Sequence, residues 1–361
     1  MNQHLKLLNK ESYHVLGIMS GTSLDGIDIA EINFTLTDEK MWSFEILAST
    51  TKAYSSTWRE KLQQAISLTK DELEVLDLEY TEYLSEVILN FINKNHIKNL
   101  DAVCSHGHTV MHRPENGLTL QIGNLPRLAK LMRQKVVCDF RVQDVQLGGQ
   151  GAPLVPIGDA LLFAQYNYCL NLGGFANISS DNNGRRVAFD ICPVNIILNI
   201  YAENLGFSYD DKGEIAASGV LNMELLKRLN ELHFYSEVPP KSLGLEWVRE
   251  FVLPILNASI ISSEDKLRTI VEHIAIQISS QIETGTTVLV TGGGVYNEFL
   301  MSRIQSLGDK DLIIPSSKLI EFKEALIFGL LGALRLRGSV NCLASVTGAK
   351  NDHSSGNIYF A

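Results

Sequence analysis

The stretch His14-Val-Leu-Gly-Ile-Met-Ser-Gly-Thr-Ser-Leu-Asp-Gly-Ile-Asp-Ile-Ala30 decides how this chain is read. An apolar run over 15–18 delivers the backbone into Ser20-Gly21-Thr22-Ser23, and a second strand-like run starts near Gly26. The turn between them carries small residues, hydroxyls and two carboxylates. Glycine lets backbone N–H groups approach a ligand closely, and hydroxyls donate to phosphate oxygens. Asp25 and Asp28 are of the type that holds Mg²⁺, directly or through water. On these residues alone two readings stand: a phosphate-and-metal hairpin between two strands, or an ordinary Gly-Ser hairpin turn of common composition.

Outward from this turn, strands are expected over 15–20, 27–36 and 43–49, then helices near 57–67 and 70–95. On the second helix Leu73, Leu76, Tyr80, Tyr83, Val87 and Phe91 recur at three- and four-residue spacing, one apolar face. Thr69 followed by Glu72 is a capping-box pattern at its start. Strands over 102–105, 117–122 and 136–139 and a helix over 125–133 follow. A similar order then returns. The apolar run 168–171 leads into Gly173-Gly174, 175–179 leads into Asp181-Asn182-Asn183-Gly184, and 187–191 follows. Helices are expected over 195–205 and 263–283. A strand over 287–290 feeds Thr291-Gly292-Gly293-Gly294, 312–314 is a last strand, and 321–336 is a long apolar helix. Residues 347–361 read as a loop-rich tail. The chain thus reads as two copies of one architecture, a meander followed by strands alternating with helices. Two such halves facing each other would bring both Gly-rich hairpins to one cleft. The Gly- and Pro-rich run 146–156 reads as the linker, or as a plain surface loop.

Composition narrows the function classes. The 361 residues suggest about two domains, and 45% hydrophobic against 20% charged residues suits a soluble globular core. No apolar run approaches the roughly 18 residues that span a bilayer, and no signal-peptide core stands at the start, so a cytoplasmic protein is expected. A net charge of −10 disfavours a nucleic-acid surface, though local Arg or Lys could still bind an anionic small molecule. The five cysteines, Cys104, Cys138, Cys169, Cys192 and Cys342, are scattered and odd in number, so buried thiols are expected rather than disulfides or a zinc site.

The ordered set of motifs resembles the actin-like ATPase superfamily and, within it, the anhydro-N-acetylmuramic acid kinase family. The matching stretches are 17–28 (GIMSGTSLDGID), 105–114 (SHGHTVMHRP), 119–124 (TLQIGN) and 139–156 (DFRVQDVQLGGQGAPLVP), then 171–179 (NLGGFANIS), 188–193 (AFDICP), 291–297 (TGGGVYN) and 324–329 (EALIFG). The resemblance implies an α/β, two-lobed actin-like ATPase fold, each lobe a ribonuclease H-like mixed sheet with flanking helices, with nucleotide in the interdomain cleft. It implies an N-terminal lobe over 1–145, completed by 335–361, and a C-terminal lobe over 146–334. It further implies a homodimer and an activity in peptidoglycan recycling. ATP and water open the internal 1,6-anhydro bond of the sugar, O6 is phosphorylated, and N-acetylmuramic acid 6-phosphate and ADP result.

Such a reaction needs a base near the anomeric carbon. Asp190 matches the family's base. On the residues alone it could equally cap the helix beginning near Asn195. The resemblance places Gly21, Thr22, Ser23, Leu24, Asp25, Gly26, Ile27 and Asp28 against the phosphates of ATP, with Asp25 the carboxylate nearest Mg²⁺. Gly173 and Gly174 would face the γ-phosphate. Gly292, Gly293 and Gly294, between strand and helix, would hold the nucleotide against backbone and a helix N-terminus, where an ordinary tight turn is the alternative. Arg141 would hold the lactyl carboxylate, or else pair with Asp139 or Asp144. Glu324 would accept hydrogen bonds from the sugar, or else stabilise its helix N-terminus. His106 and Thr119 would contact substrate, with His106 and His108 otherwise shaping their loop.

The sequence departs from the family at three places. Asp190 is followed by Ile191-Cys192-Pro193-Val194-Asn195 where Thr-Gly-Pro-Gly-Asn is usual, Asn199 replaces an Asp, and His108 replaces a Gln. These motivate two alternatives: a kinase for another anhydro or amino sugar, and a catalytically weak, nucleotide-binding sugar sensor.

Overall fold

The computed structural model describes residues 10–21, 23–37 and 41–361. By packing, the chain forms two compact units, one running to Leu162 and resuming over Phe322–Ala361, the other spanning Phe163–Glu321. The first unit opens with the expected meander: β1 (Ser12–Ser20), β2 (Gly26–Leu36) and β3 (Trp42–Ala53), antiparallel throughout. β4 (Ala102–Arg113) joins β1 in parallel, and β6 (Val136–Cys138) joins β4 in parallel. β5 (Leu118–Ile122) hangs antiparallel from β4. Val15, Leu16 and Ile18 of β1 are all buried, as a strand covered on both faces requires. On one face Leu16, Ile18, Ile27 and Ile29 join the apolar side of α1 (Lys70–Lys94), including Leu76, Tyr80, Leu84 and Ile88. The capping box forms: Thr69 N–H donates to Glu72 Oε2 at 2.8 Å, and the Thr69 hydroxyl accepts from Glu72 N–H at 3.4 Å. The run 146–156, read as a linker, lies within the first unit, just after α2 (Val142–Gln146).

The second unit repeats the plan. β7 (Tyr168–Leu172), β8 (Phe175–Asn182) and β9 (Arg185–Pro193) form an antiparallel meander, with β10 (Thr286–Thr291) parallel to β7 and β11 (Lys310–Ile313) parallel to β10. The order β11-β10-β7-β8-β9 is that of β6-β4-β1-β2-β3 in the first sheet. This is the ribonuclease H-like mixed sheet, twice in one α/β chain. Leu170, Ile178, Ile191, Val288 and Val290 share a core with α3 (Asn195–Glu203) and α4 (Ser263–Ser279). Short helices at Glu214–Ser218, Met223–Asn230 and Leu253–Ala258 fill the interval for which the sequence offered no pattern.

The chain returns to the first unit inside α5 (Ser317–Arg337), which is kinked at Phe322, where φ is −111° and ψ 15°. Beyond the kink α5 lies hard against the first sheet. A Cβ on Gly17 would stand 1.9 Å from the Ala325 carbonyl oxygen, and one on Gly332 would stand 2.1 Å from Cys104 Sγ. The tail is loop-rich, as its Gly, Ser and Asn content suggested, but it is anchored to the first unit. β12 (Asn357–Tyr359) pairs antiparallel with β6, and Cys342 and His353 form an isolated antiparallel bridge. Polar side chains hold it: the Ser355 hydroxyl donates to Phe140 O at 2.6 Å, and Asn341 Nδ2 to Ser355 O at 2.8 Å. All five cysteines are buried, and none is joined in a disulfide. No helix among the described residues is long and apolar enough to cross a membrane.

Candidate functional site

The β1–β2 turn is built by a tight reversal. Leu24 adopts φ +60° and its N–H donates to Gly21 O at 3.4 Å. Ser23 and Asp25 are exposed, Gly21, Leu24 and Asp28 half-buried, and Gly26 and Ile27 buried; Thr22 lies outside the described residues. Gly26 is required by close approach, since a Cβ there would meet Lys52 O of β3 at 2.5 Å. Asp25 O accepts from Tyr54 N–H at 3.3 Å, and the Thr51 hydroxyl donates to Asp28 Oδ1 at 2.6 Å. No hydrogen bond among the described residues engages the Asp25 carboxylate, so an exposed anionic oxygen ligand is available for a hard cation.

Beneath the turn lies a hydroxyl cluster that sequence reasoning missed. Ser20 Oγ lies 2.6 Å from Tyr54 Oη, Tyr54 Oη 2.6 Å from Tyr80 Oη, and Tyr80 Oη donates back to Ser20 Oγ at 3.0 Å. His108 Nδ1 joins at 3.2 Å. Burial pushes the Tyr54 hydroxyl up to about 12 and His108 down to about 4, so the cluster is neutral at physiological pH. Its members come from β1, β4, α1 and the segment after β3; no local spacing could have linked them.

His106 and Arg141 are brought together. His106 Nδ1 donates to Gly107 O at 2.9 Å, which leaves Nε2 as the acceptor for Arg141 Nε–H at 2.9 Å. Burial and then the neighbouring guanidinium hold His106 well below its ordinary pKa, in keeping with that neutral tautomer. Arg141 Nη1 donates to Gly151 O at 2.7 Å, so its hydrogen bonds go to His106 and Gly151 rather than to Asp139 or Asp144. Glu324 is reached by solvent yet crowded by protein atoms; that crowding raises its carboxyl, and Arg141 opposes the shift. Thr119 Oγ1 instead lies among side chains of its own hairpin, 3.0 Å from His112 Nδ1 and 2.8 Å from Gln121 Nε2.

In the second unit both glycine turns converge on the end of β7. Gly173 O and Gly174 O accept from the N–H groups of Asn195 and Val194 at 3.3 and 2.8 Å, tying the β7–β8 turn to the start of α3. Gly292 has φ +85°, and a Cβ there would meet Asn171 Oδ1 at 2.6 Å; one on Gly294 would meet Leu172 Cβ at 2.8 Å. At Gly174 and Gly293 a built Cβ would find its nearest atom at 3.9 Å, so neither backbone is crowded. Asp190 sits on β9, paired with Asn177. Its backbone N–H donates to Lys241 O at 3.1 Å, and its Oδ2 accepts from Leu243 N–H at 2.8 Å. The side chain therefore anchors a distant loop and does not cap α3, whose first turn has no side-chain cap. Burial raises the Asp190 carboxyl, and the Leu243 hydrogen bond opposes the shift.

A family model described as anhydro-N-acetylmuramic acid kinase matches residues 13–361. The chain belongs to the anhydro-N-acetylmuramic acid kinase family. A relative of that name from Sulfurimonas denitrificans is 32% identical over 368 residues, covering 95% of this chain and 98% of its own. One from Pseudomonas syringae pv. tomato is 33% identical, with 96% and 99% covered, and one from Xanthomonas oryzae pv. oryzae is 34% identical, with 97% and 98% covered. The residues that depart from the family pattern after Asp190, Ile191, Cys192 and Val194, are all buried in the second unit. Ile191, Cys192 and Val194 belong to its apolar core.

Proposed function

We propose that this protein opens the 1,6-anhydro ring of anhydro-N-acetylmuramic acid with water and phosphorylates O6 from ATP, yielding N-acetylmuramic acid 6-phosphate and ADP for peptidoglycan recycling. The observation that carries the reading is membership of the kinase family along nearly the whole chain. Asp190 is the general base. Its carboxylate has one oxygen engaged by Leu243 N–H and, among the described residues, no cationic side chain bound to it, so it keeps its basicity. It takes a proton from water as the oxygen bonds to C1. The C1–O6 bond breaks, and O6 takes the γ-phosphoryl group as the bond to the β-phosphate oxygen breaks.

Phosphoryl transfer asks the protein mainly for position and charge neutralisation. The backbone of 21–28 holds phosphates, and the open backbones at Gly174 and Gly293 serve the same end, with Gly173, Gly292 and Gly294 shaping their turns. Mg²⁺ would be held at Asp25, with Asp28 in support, and would supply positive charge at the phosphates. Arg141, oriented by His106, is the group for the lactyl carboxylate. Glu324, with its raised carboxyl, and Thr119 take sugar hydroxyls. Burial of the residues that replace the usual Thr-Gly-Pro-Gly supports retention of the family's sugar, because the changes fall in the core. A cytoplasmic homodimer acting on a small sugar is proposed with this activity.

The test is ADP release from purified protein with Mg-ATP and the anhydro sugar, beside Asp190→Asn. Sugar-dependent ADP release that falls at least 100-fold in the variant is expected, the scale for losing a general base being about 10²–10⁴. Equal turnover removes Asp190 from the role. ATP binding without sugar-dependent turnover favours the sensor.

A further inference from the structure

Asp144, Cys342 and His353 lie in the first unit and take no part in the reaction proposed above. Asp144 is wholly buried, and Cys342 and His353 are 1% and 6% exposed. One ligating atom from each lies within 4.8 Å of the others. Cys342 Sγ donates to Asp144 Oδ1 at 3.0 Å, and His353 Nε2 stands 3.6 Å from the same oxygen. Backbone pairing sets the two tail residues side by side: Cys342 N–H donates to His353 O at 3.1 Å, and His353 N–H to Cys342 O at 3.2 Å.

The imidazole is the telling group. His353 Nδ1 lies 3.0 Å from Asn351 O, a pure acceptor, so Nδ1 carries the hydrogen. In the neutral ring Nε2 then presents a lone pair. It is buried, has no hydrogen-bond partner, and stands 3.6 Å from a carboxylate oxygen. An unpaired buried polar atom is costly, and a lone pair close to an anion more so. A cation shared by the three groups removes both penalties.

We propose that Asp144, Cys342 and His353 form a binding site for a divalent metal ion of borderline softness, zinc-like in its preferences. Mixed O, S and N donors with a thiolate among them disfavour Mg²⁺ and Ca²⁺. Ligands about 2.0–2.3 Å from a tetrahedral zinc ion stand roughly 3.3–3.8 Å apart. The observed 3.0 and 3.6 Å need adjustment of only a few tenths of an ångström. On binding, the Cys342 S–H proton leaves to solvent as the sulfur–metal bond forms. The Thr347 hydroxyl, 2.7 Å from Asp144 Oδ1, and Gly151 N–H, 2.7 Å from Oδ2, already orient the carboxylate as an outer shell would. Three side chains leave one position of a tetrahedron, which a bound water would take. The ion would tie the tail to α2 and the loop after it, independently of the kinase reading.

The experiment titrates full-length, chelator-treated protein with ZnCl₂ against a chromophoric competitor, and with CoCl₂ followed by absorption. One ion per chain is expected, with the thiolate-to-cobalt charge-transfer band and the strong visible bands of tetrahedral cobalt. Cys342→Ser should abolish the charge-transfer band. His353→Gln should weaken binding at least about 100-fold, the upper range for losing a mere outer-shell partner. Circular dichroism establishes that each variant is folded. Absence of stoichiometric binding, or of a thiolate band in the wild-type spectrum, overturns the proposal without recourse to any variant. Binding unchanged in both variants overturns it as well.

Discussion

Gly17→Ala tests whether the β1–β2 turn is held in place by the packing of β1 against α5. The added Cβ would stand 1.9 Å from Ala325 O and 2.8 Å from Ala325 C, where ordinary contact begins at 3.4 Å. Both neighbours are backbone atoms of α5, so no side-chain rotation relieves the clash. Either β1 or α5 must retreat by about 1.5 Å, and Gly329 and Gly332 further along the helix already bring it against Val15, Ile32 and Cys104. Overpacking a core with flexible neighbours costs typically 1–3 kcal/mol. A backbone-to-backbone clash belongs at or above the top of that range, about 3 kcal/mol. For a unit of this size that lowers the melting temperature by roughly 6–12 °C. Urea and thermal unfolding followed by circular dichroism read the loss directly. Because β1 ends at Ser20, whose hydroxyl anchors the cluster under the turn, the surviving folded fraction should also bind ATP more weakly. A loss below about 1 kcal/mol would refute the reasoning, since it would mean that α5 and β1 can part freely.

Other outcomes follow from the same geometry. Gly174→Ala places its methyl no nearer than 3.9 Å to any atom, so stability should hold or rise by about 0.4–1 kcal/mol, while the KM for ATP rises. An unchanged KM would remove this turn from the nucleotide site. A general base works deprotonated, and burial raises Asp190 above its ordinary 3.8. Activity is therefore lost as pH falls through that raised value, so the acidic limb of kcat/KM should lie above the range of a solvated aspartate. A limb at the ordinary carboxylate value would count against Asp190 as the base.

The periodicities that were legible in the sequence are those enforced by short-range geometry. The meanders, α1 with its capping box, and the Gly-rich turns all rest on alternation, helical spacing or the backbone freedom of glycine. Even the repeat was readable, because β1–β3 and β7–β9 each place a strand, a turn and a strand in tandem before the parallel crossovers begin. The illegible features are assembled across large separations. Tyr80 meets Ser20 across 60 positions, Asp190 meets Leu243 across 53, and Asp144 meets Cys342 across 198. No local pattern encodes such pairs, and the residues involved look like ordinary strand, helix and loop residues in isolation. The anchoring of the loop-rich tail was hidden for a related reason: Ser355 and Asn341 spend their side chains on the backbone of Phe140, Leu331 and Ser355, far from them in sequence or across a turn.

The departure after Asp190 shows why position must be known before a substitution is weighed. In sequence, replacing Thr and two glycines beside the proposed catalytic carboxylate suggests a remodelled ligand pocket. In the fold, β9 carries Asp190 half-buried while Ile191, Cys192 and Val194 belong to the core shared with α3 and α4. A bulkier apolar residue there fills space beneath the strand and adds burial, at a few tens of cal/mol per Å² of apolar area. The carboxylate itself is set by two contacts that those changes leave alone, Lys241 O on its backbone and Leu243 N–H on its side chain. What could alter the reaction is therefore the 241–243 loop, because it lies outside the motifs by which the family is identified and yet fixes the orientation of the proposed base through those two contacts.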